Sequence, residues 1–323
     1  MPSVDVTIPN YNYGNYLRDC VESIITQGIK DLRILIMDNA SEDNSVEVAQ
    51  ELSREYPCIE VLARKANVGL LASLNEGSDW AQSDYLISLS ADDLLPPGAL
   101  ARAIAIMEKH DDVVAAFGKC LFFHNGNAFP GVTASAGRAP WQIMVGRDFI
   151  ERLLTAHLVT LSPVVRTRIQ KKVGYYRPGT FSPDFEMWLR WACLGKIGVS
   201  RAPQAIQRLH QSNISNLAWS DPKRRFEHAI ATVDVFFAHE GAALPNSQRL
   251  QRKSRRTIGK NAYWSAVSHL LRGHRRTAIE LFRFALSHCP TAAVLPPIDV
   301  LMKYSDPQDR ISRALSHAFN LRR

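Results

Sequence analysis

Residues Asp84 to Gly98 read D-Y-L-I-S-L-S-A-D-D-L-L-P-P-G. The apolar run Tyr85 to Leu89 is rich in strand formers and short enough for a buried strand. It delivers Ser90, Ala91, Asp92 and Asp93 at its C-terminal end, where two adjacent carboxylates stop it. Pro96 and Pro97 then open a helix in which Leu100, Ile104 and Met107 recur at helical spacing. The acidic pair is therefore expected at a strand-to-helix crossover, in the crevice where open α/β sheets bind ligands.

Upstream, the same alternation repeats. Val4 to Ile8 reads as a strand ending in P-N-Y-N-Y-G-N, and Leu17, Val21, Ile24 and Ile25 give a helix up to Gly28. Leu32 to Met37 is a second strand ending on Asp38, and the polar N-A-S-E-D-N-S suits the N-cap of a helix over about Val46 to Tyr56. Ile59 to Ala63 is a third strand and Ser73 to Ala81 a short helix. A β-α-β-α-β-α-β order predicts a Rossmann-like, mostly parallel sheet flanked by helices. Asn10, Tyr11, Asn12, Asp38, Asp92 and Asp93 then converge along one sheet edge. Taken alone, the competing role for Asp92 and Asp93 is N-capping of the following helix.

At 323 residues the chain has room for one large domain, or for one domain with an appendage. No apolar run approaches the roughly 20 residues needed to span a bilayer, and the N-terminus lacks a basic segment followed by an apolar core. A cytoplasmic protein is expected. Five scattered cysteines without a C-x-x-C pair argue against a zinc site or a disulfide framework. Charge is divided: residues 1–137 carry 9 Lys+Arg against 19 Asp+Glu, and residues 138–323 carry 30 against 12. An acidic half that holds an anionic ligand needs a mediating cation, whereas a basic half meets phosphates or an anionic membrane directly. Solvated helix faces are the plainer explanation of the basic part.

T-I-P-N-Y-N, I-L-I-M-D-N-A-S, N-V-G-L-L-A-S-L-N-E-G and S-L-S-A-D-D-L-L-P-P resemble, in order and spacing, the signatures of family 2 glycosyltransferases with the inverting GT-A fold. The resemblance implies a UDP-sugar donor, or a dTDP-sugar presenting the same N3–H, with Asp38 accepting that hydrogen bond. Pro9, Tyr11 and Asn12 would hold the base, with Asn67 of the third block on the donor side. Ser90 to Asp93 would be the D-x-D-type motif, with Asp92 the ligand of Mg²⁺ or Mn²⁺ and Asp93 the alternative. Such an ion bridges diphosphate oxygens and offsets charge that builds on the leaving group. The chain departs from the family at Ser90 and Asn39, where Asp is common, and at Leu74, where Arg is.

Val113 to Phe123 reads as another strand, Asn125 to Gly137 as a loop bordering the acceptor, Asp148 to Leu154 as a helix and Val159 to Arg166 as a strand. In R-P-G-T-F-S-P-D-F-E-M-W-L-R-W-A-C-L-G, Pro183 heads a helix with Asp184 in its first turn, where a carboxylate is also stabilised by the helix N-terminus. D-F-E-M-W-L-R is similar to the family block whose aspartate is the general base. The resemblance therefore assigns Asp184 that role, with Pro183 replacing the usual acidic neighbour and Glu186 structural or acceptor-contacting. Q-R-L-H-Q-S-N-I-S is similar to the family's R-x-H loop, so Arg208 or His210 is implied at the pyrophosphate or metal.

Past Ser220, three helical stripes follow: Phe226 to Phe237, Tyr263 to Leu271, and Ala278 to Leu286. The last pair is similar to a single tetratricopeptide-like hairpin. The expected organisation is a GT-A donor-binding and catalytic domain over 1–220 (donor half 1–123, acceptor half 124–220) and a basic helical appendage over 221–323. The product class implied is surface polysaccharide or glycolipid, with a carbohydrate or lipid-linked acceptor and peripheral contact at the inner membrane face. No basic-aromatic pattern favours nucleic acid. A sugar nucleotidyltransferase would carry a basic glycine-rich loop after the first strand, and P-N-Y-N-Y-G-N has no basic residue. Ser90, Asn39 and Pro183 leave a non-catalytic nucleotide-sugar-binding protein of the same fold as the other alternative.

Overall fold

The structure, a computed structural model, describes residues 2–124, 140–155, 162–178, 183–211, 213 and 221–293. The loop expected over 125–137, most of the strand expected from Val159 and the end of the R-x-H block lie outside them. The chain divides into two compact units, one of Met1–Gly179 with Pro183–Asn213 and one of Thr180–Ser182 with Ile214–Arg323.

In the first unit, strands β1 (Val4–Asn10), β2 (Leu32–Asp38), β3 (Ile59–Ala63), β4 (Tyr85–Ser88), β5 (Val113–His124), β6 (Trp141–Met144), β7 (Val164–Arg166) and β8 (Lys196–Leu209) form one sheet. Its order is β3-β2-β1-β4-β7-β5-β8-β6. The first four strands are parallel, as the βαβ alternation requires. β7 then inserts antiparallel between β4 and β5, β8 runs parallel to β5, and β6 closes antiparallel on β8.

Helices α1 (Gly14–Ile25), α2 (Ser45–Glu55), α3 (Leu70–Trp80) and α4 (Ala99–Lys109) cover the parallel half, with α5 (Gly146–Thr155), α6 (Thr167–Val173) and α7 (Pro183–Ala192) beyond it. On one face Val4, Val6, Ile8, Ile34, Ile36 and Ile87 pack with Leu17, Val21 and Ile24 of α1 and Leu100 and Met107 of α4. Each such fully buried aliphatic side chain contributes about 1.5–3 kcal/mol. On the other face Gly77 lets α3 press against the sheet: a Cβ there would stand 2.9 Å from the Thr7 methyl carbon. A sheet covered on both faces explains why its strands read as continuous apolar runs.

The segment between β4 and α4 differs from the expectation. The helix begins at Ala99 after a left-handed Gly98, not at the prolines. A residue that precedes proline is pushed out of the helical region, so Leu95 and Pro96 stay extended. Leu94 forms an antiparallel bridge with Ile206 of β8, and Gln27, just past the end of α1, donates to the Pro96 carbonyl. Asp92 and Asp93 consequently sit in a turn well ahead of α4 and do not cap it.

The second unit contains α8 (Pro222–Ala238), α9 (Ser247–Leu271) and α10 (Arg275–His288), with short 3₁₀ turns at Glu240–Ala243 and Pro290–Ala293. The basic run Arg249 to Arg256 is the first half of α9. Phe226 of α8 faces Phe284 of α10, and Tyr263 of α9 faces Phe282. Gly259 lies against Cys289 and His288, a Cβ there falling 2.9 Å from the Cys289 Cβ. That small residue permits the close approach of the hairpin arms.

Candidate active site

The ends of β1 and β2 meet through side chains. Asn39 N–H donates to the Asn10 carbonyl at 2.9 Å, and Asn10 Nδ2 donates to Asp38 Oδ2 at 2.8 Å. Ser41 adds its hydroxyl to Asp38 Oδ2 at 2.6 Å and its backbone N–H to Oδ1 at 3.0 Å. Asp38 is fully buried. Its Oδ1, which accepts from Ser41 N–H, retains a second acceptor position. The loops after β1 and β2 each carry a left-handed non-glycine residue, Asn12 (φ 58°) and Ala40 (φ 60°). Asn12 is at home there, but Ala40 carries backbone strain of order 1–3 kcal/mol of the kind found at ligand clamps. Asn12 fastens the two loops by donating its N–H to Ser41 Oγ at 2.9 Å and accepting from Glu42 N–H at 2.8 Å.

Of the other donor-side candidates, Pro9 lies inside β1 opposite Met37, and Tyr11 projects, partly exposed. Asn67 accepts from Asn39 Nδ2 at 2.7 Å and from Gly69 N–H at 2.9 Å. Arg64, at the end of β3, donates to Asn39 Oδ1 at 3.3 Å and Ser73 Oγ at 2.6 Å and pairs with Glu76. Asn39 therefore organises this corner through its side-chain amide, which donates to Asn67 and accepts from the Arg64 guanidinium and from Val68 N–H.

At the end of β4, Ser90 turns the chain, its carbonyl accepting from Asp93 N–H at 3.0 Å. The two carboxylates then part. Asp93 Oδ1 accepts from Arg208 N–H at 3.2 Å, and burial together with the charge of Asp92 pushes its carboxyl well above the usual range. Asp92 Oδ2 accepts from Asn213 Nδ2 at 2.9 Å and lies 3.1 Å from His210 Nε2. Asp92 Oδ1 is buried with no hydrogen-bond partner among the described residues.

An orphaned carboxylate oxygen beside an imidazole suits a divalent cation. No three His, Cys, Asp or Glu side chains among the described residues form a closed cage. The chain's own donors thus fit an ion that takes its remaining ligands from a substrate and water, as Mg²⁺ commonly does.

β8 brings Arg208 and His210 to this point. Arg208 is buried, with Nε donating to the Asp92 carbonyl at 3.3 Å and Nη2 pairing with Asp19 of α1 at 2.8 Å. Its guanidinium lies over Tyr16 at 4.8 Å and over Phe123 at 4.9 Å. His210 contacts Tyr16 and Tyr13, with ring centroids 4.7 and 5.4 Å apart. Asn213 accepts from His210 N–H at 2.6 Å and donates to the Arg208 carbonyl at 3.0 Å. The Asn213, Asp19, Tyr13 and Tyr16 roles escaped the sequence reading. Asn213 was within reach, three residues past His210 in the same block, whereas Asp19 and Tyr16 lie on α1 and Tyr13 just before it, and only folding brings them here.

Asp184 occupies the first turn of α7, and desolvation raises its carboxyl to about 6. Burial, and after it the charge of Asp184, pushes the Tyr176 hydroxyl up. Tyr176 is held through its backbone to the Asn75 side chain of α3. Glu186 is fully buried, pairing with Arg177 at 2.9 Å and with Arg190 at 2.9 Å. Arg190 also donates to the carbonyls of Val173 and Tyr175 at 3.1 and 2.7 Å. Glu186 thus braces the segment that carries Tyr176.

Residues 5–168 match the model of glycosyl transferase family 2. The uncharacterized glycosyltransferase YibD of Escherichia coli is 27% identical over 221 residues, 66% of this chain and 63% of that protein. Chondroitin synthase of Pasteurella multocida is 26% identical over 196 residues, 61% of this chain but 19% of the synthase. The matched part of the chain therefore spans about a fifth of the synthase and just under two thirds of YibD. Among solved structures, Staphylococcus aureus TarS 1-349 in complex with UDP-GlcNAc has a TM-score of 0.64 at 14% identity, covering 89% of this chain and 82% of that one. The mannosyltransferase PcManGT of Pyrobaculum calidifontis, in complex with GDP-Man and Mn²⁺, has a TM-score of 0.59 at 16% identity, covering 97% and 84%. At these identities the likeness is one of fold, and the fold is GT-A.

Proposed function

This chain belongs to glycosyl transferase family 2, and we propose that it is an inverting glycosyltransferase using a UDP-sugar, or a dTDP-sugar, and a hydroxyl acceptor. The observation that carries the reading is the orphaned, buried Oδ1 of Asp92 at the end of β4, beside His210 and Arg208. Asp92 and His210 would hold Mg²⁺ or Mn²⁺. Bound there, the ion supplies charge neutralisation for a leaving diphosphate.

The chain's own groups do the rest. Asp38 offers its open acceptor position to the N3–H of the base, framed by Pro9, Tyr11 and Asn12. Asn67 supports that corner through Asn39, and Ser90 sets the turn that presents Asp92. Arg208 meets a diphosphate oxygen by releasing exposed Asp19, a natural exchange of one oxyanion for another. Asp184 removes the acceptor hydroxyl proton as that oxygen attacks the anomeric carbon from the face opposite the diphosphate. The new C–O bond forms, the sugar–phosphate bond breaks and the configuration inverts. A carboxylate near 6 is mostly ionised at neutral pH yet more basic than an exposed one, which suits general-base work worth roughly 10² to 10⁴ in rate.

The catalytic domain in this reading extends to about residue 220 and the helical region covers 221–323. Likeness to chondroitin synthase supports a role in polysaccharide or glycolipid assembly, with a carbohydrate or lipid-linked acceptor. The basic second half supports peripheral membrane contact. No helix among the described residues is long and apolar enough to cross a membrane.

Calorimetric titration of UDP into wild type and Asp92→Ala, each with and without Mn²⁺, is the direct test, alongside UDP-sugar hydrolysis by Asp184→Asn. Metal-dependent UDP binding that Asp92→Ala abolishes, with turnover but not binding lost in Asp184→Asn, is expected. Absence of UDP and dTDP binding with any metal sinks the donor assignment. Binding with no turnover on any acceptor favours the non-catalytic alternative.

A further inference from the structure

Helix α10 has two faces. Ala278, Leu281, Phe284 and Ala285 are buried within the second unit. The opposite face exposes Ile279 (51%) and Leu286 (41%), two turns apart and therefore in line along the helix. Arg275, Arg276 and Arg283 flank them, all exposed, and the Arg276 side chain is 95% accessible. Glu280, paired with Arg276, is the single acidic residue of this helix. The end of α9, which leads into it, continues the pattern: Leu270 and Leu271 are 48% and 67% exposed, and Arg272 and His274 follow them in the connecting turn.

Aliphatic side chains left in water beside arginines are an unstable choice for a purely solvated face, where shorter polar residues serve better. The arrangement has the chemistry of a helix lying in a lipid interface, with its apolar line dipped below the phosphates and its basic flanks on them. The neighbouring helix reinforces the field. α9 carries six Lys and Arg and no acidic residue, and exposed Arg249, Arg252, Lys253 and Arg256 recur at i, i+3, i+4 and i+7.

We propose that the exposed face of α10, with Leu270 and Leu271 at the end of α9 before it, docks this protein onto an anionic lipid bilayer. This rests on and deepens the peripheral contact proposed above, and it is independent of the transfer chemistry. Charge complementarity selects the occupant: three arginines draw anionic headgroups, and the aliphatic line requires a partner with an apolar interior, which a soluble polyanion lacks.

The test is co-sedimentation of the full chain with vesicles of phosphatidylcholine alone or mixed equally with phosphatidylglycerol. Wild type is expected on the mixed vesicles and not on phosphatidylcholine. Each arginine near an anionic surface is worth roughly a fivefold change in partitioning, so Arg275→Gln/Arg276→Gln/Arg283→Gln should weaken binding by about 100-fold. Ile279→Asp/Leu286→Asp should weaken it at least about tenfold. These positions are exposed, and an unchanged melting curve checks the fold. Calorimetric UDP binding reads the nucleotide site separately, so its loss bears on the donor assignment and not on docking. Wild type left in the supernatant with UDP binding intact overturns the membrane proposal. So does equal binding by Ile279→Asp/Leu286→Asp, or a preference for soluble polyphosphate over vesicles.

Discussion

Two of the close carboxylate pairs in the first unit, Asp92 with Asp93 after β4 and Asp184 with Glu186 in α7, are divided the same way. One member is consumed by the fold: Arg208 N–H occupies Asp93, and Arg177 and Arg190 enclose Glu186. The other retains chemical capacity, Asp92 through an Oδ1 with no hydrogen-bond partner among the described residues and Asp184 through a carboxyl raised to about 6. The division is reached by different physics. At β4 a sharp turn aims adjacent side chains apart, whereas on α7 a two-residue offset turns them to different sides of the helix. Acidic residues close in sequence are therefore not interchangeable: one is spent on holding the scaffold, and the other keeps an oxygen or a proton-accepting carboxylate available.

The comparison is most directly challenged by Glu186→Gln. If Glu186 is structural, breaking its buried pairs should cost about 3–5 kcal/mol in urea denaturation, because two arginines lose their counter-charge. Little loss of stability would return Glu186 to the list of reacting groups. Next comes Asn213→Ala, which frees Asp92 Oδ2 and the His210 backbone. Metal-ligand supports of this kind are typically worth 10–100-fold, so Mn²⁺ affinity followed by electron paramagnetic resonance should fall by about that factor. Unchanged affinity would mean that Asp92 needs no such clamp.

The pH profile sharpens the α7 half. A base titrating near 6 makes kcat/KM fall about tenfold per unit below that pH, and Asp184→Asn should remove the dependence with the activity. The smallest effect has the opposite sign to that of Glu186. The raised carboxyl means that the folded state holds a proton more tightly than the unfolded chain. Asp184 therefore costs stability as pH rises from about 4 through 6, and that cost persists at pH 7. Discounted for partial exposure, Asp184→Asn should stabilise the protein by about 1–2 kcal/mol at pH 7 and by little at pH 4. Equal stability at both values would remove the desolvation argument.

Much of the parallel half was legible. β3 begins and ends where its apolar run does, and β1 and β2 run on only to Asn10 and Asp38. β6, α6 and the 14-residue extent of β8 have no counterpart in the sequence reading. β8 is interrupted near Pro203, where its register with β5 shifts, so its pattern breaks along the chain. Asp38, Asp92 and Asp184 were readable as carboxylates at element boundaries. That Asp93 is committed to Arg208, and that Asp19 of α1 answers the same arginine, was not readable.

The amino-acid sequence by itself determined the β-α alternation, the strand-end positions of Asp38 and Asp92 and the family, because these depend on periodicity and spacing within short segments. Only the tertiary structure decided which oxygens stay open. Hydrogen-bond satisfaction is settled among groups far apart in the chain: Asp92 is held by Asn213, 121 residues away, and Arg208 by Asp19, 189 residues away. Burial in a medium of low dielectric makes every unsatisfied group costly, so the few left open stand out once the partners are in place.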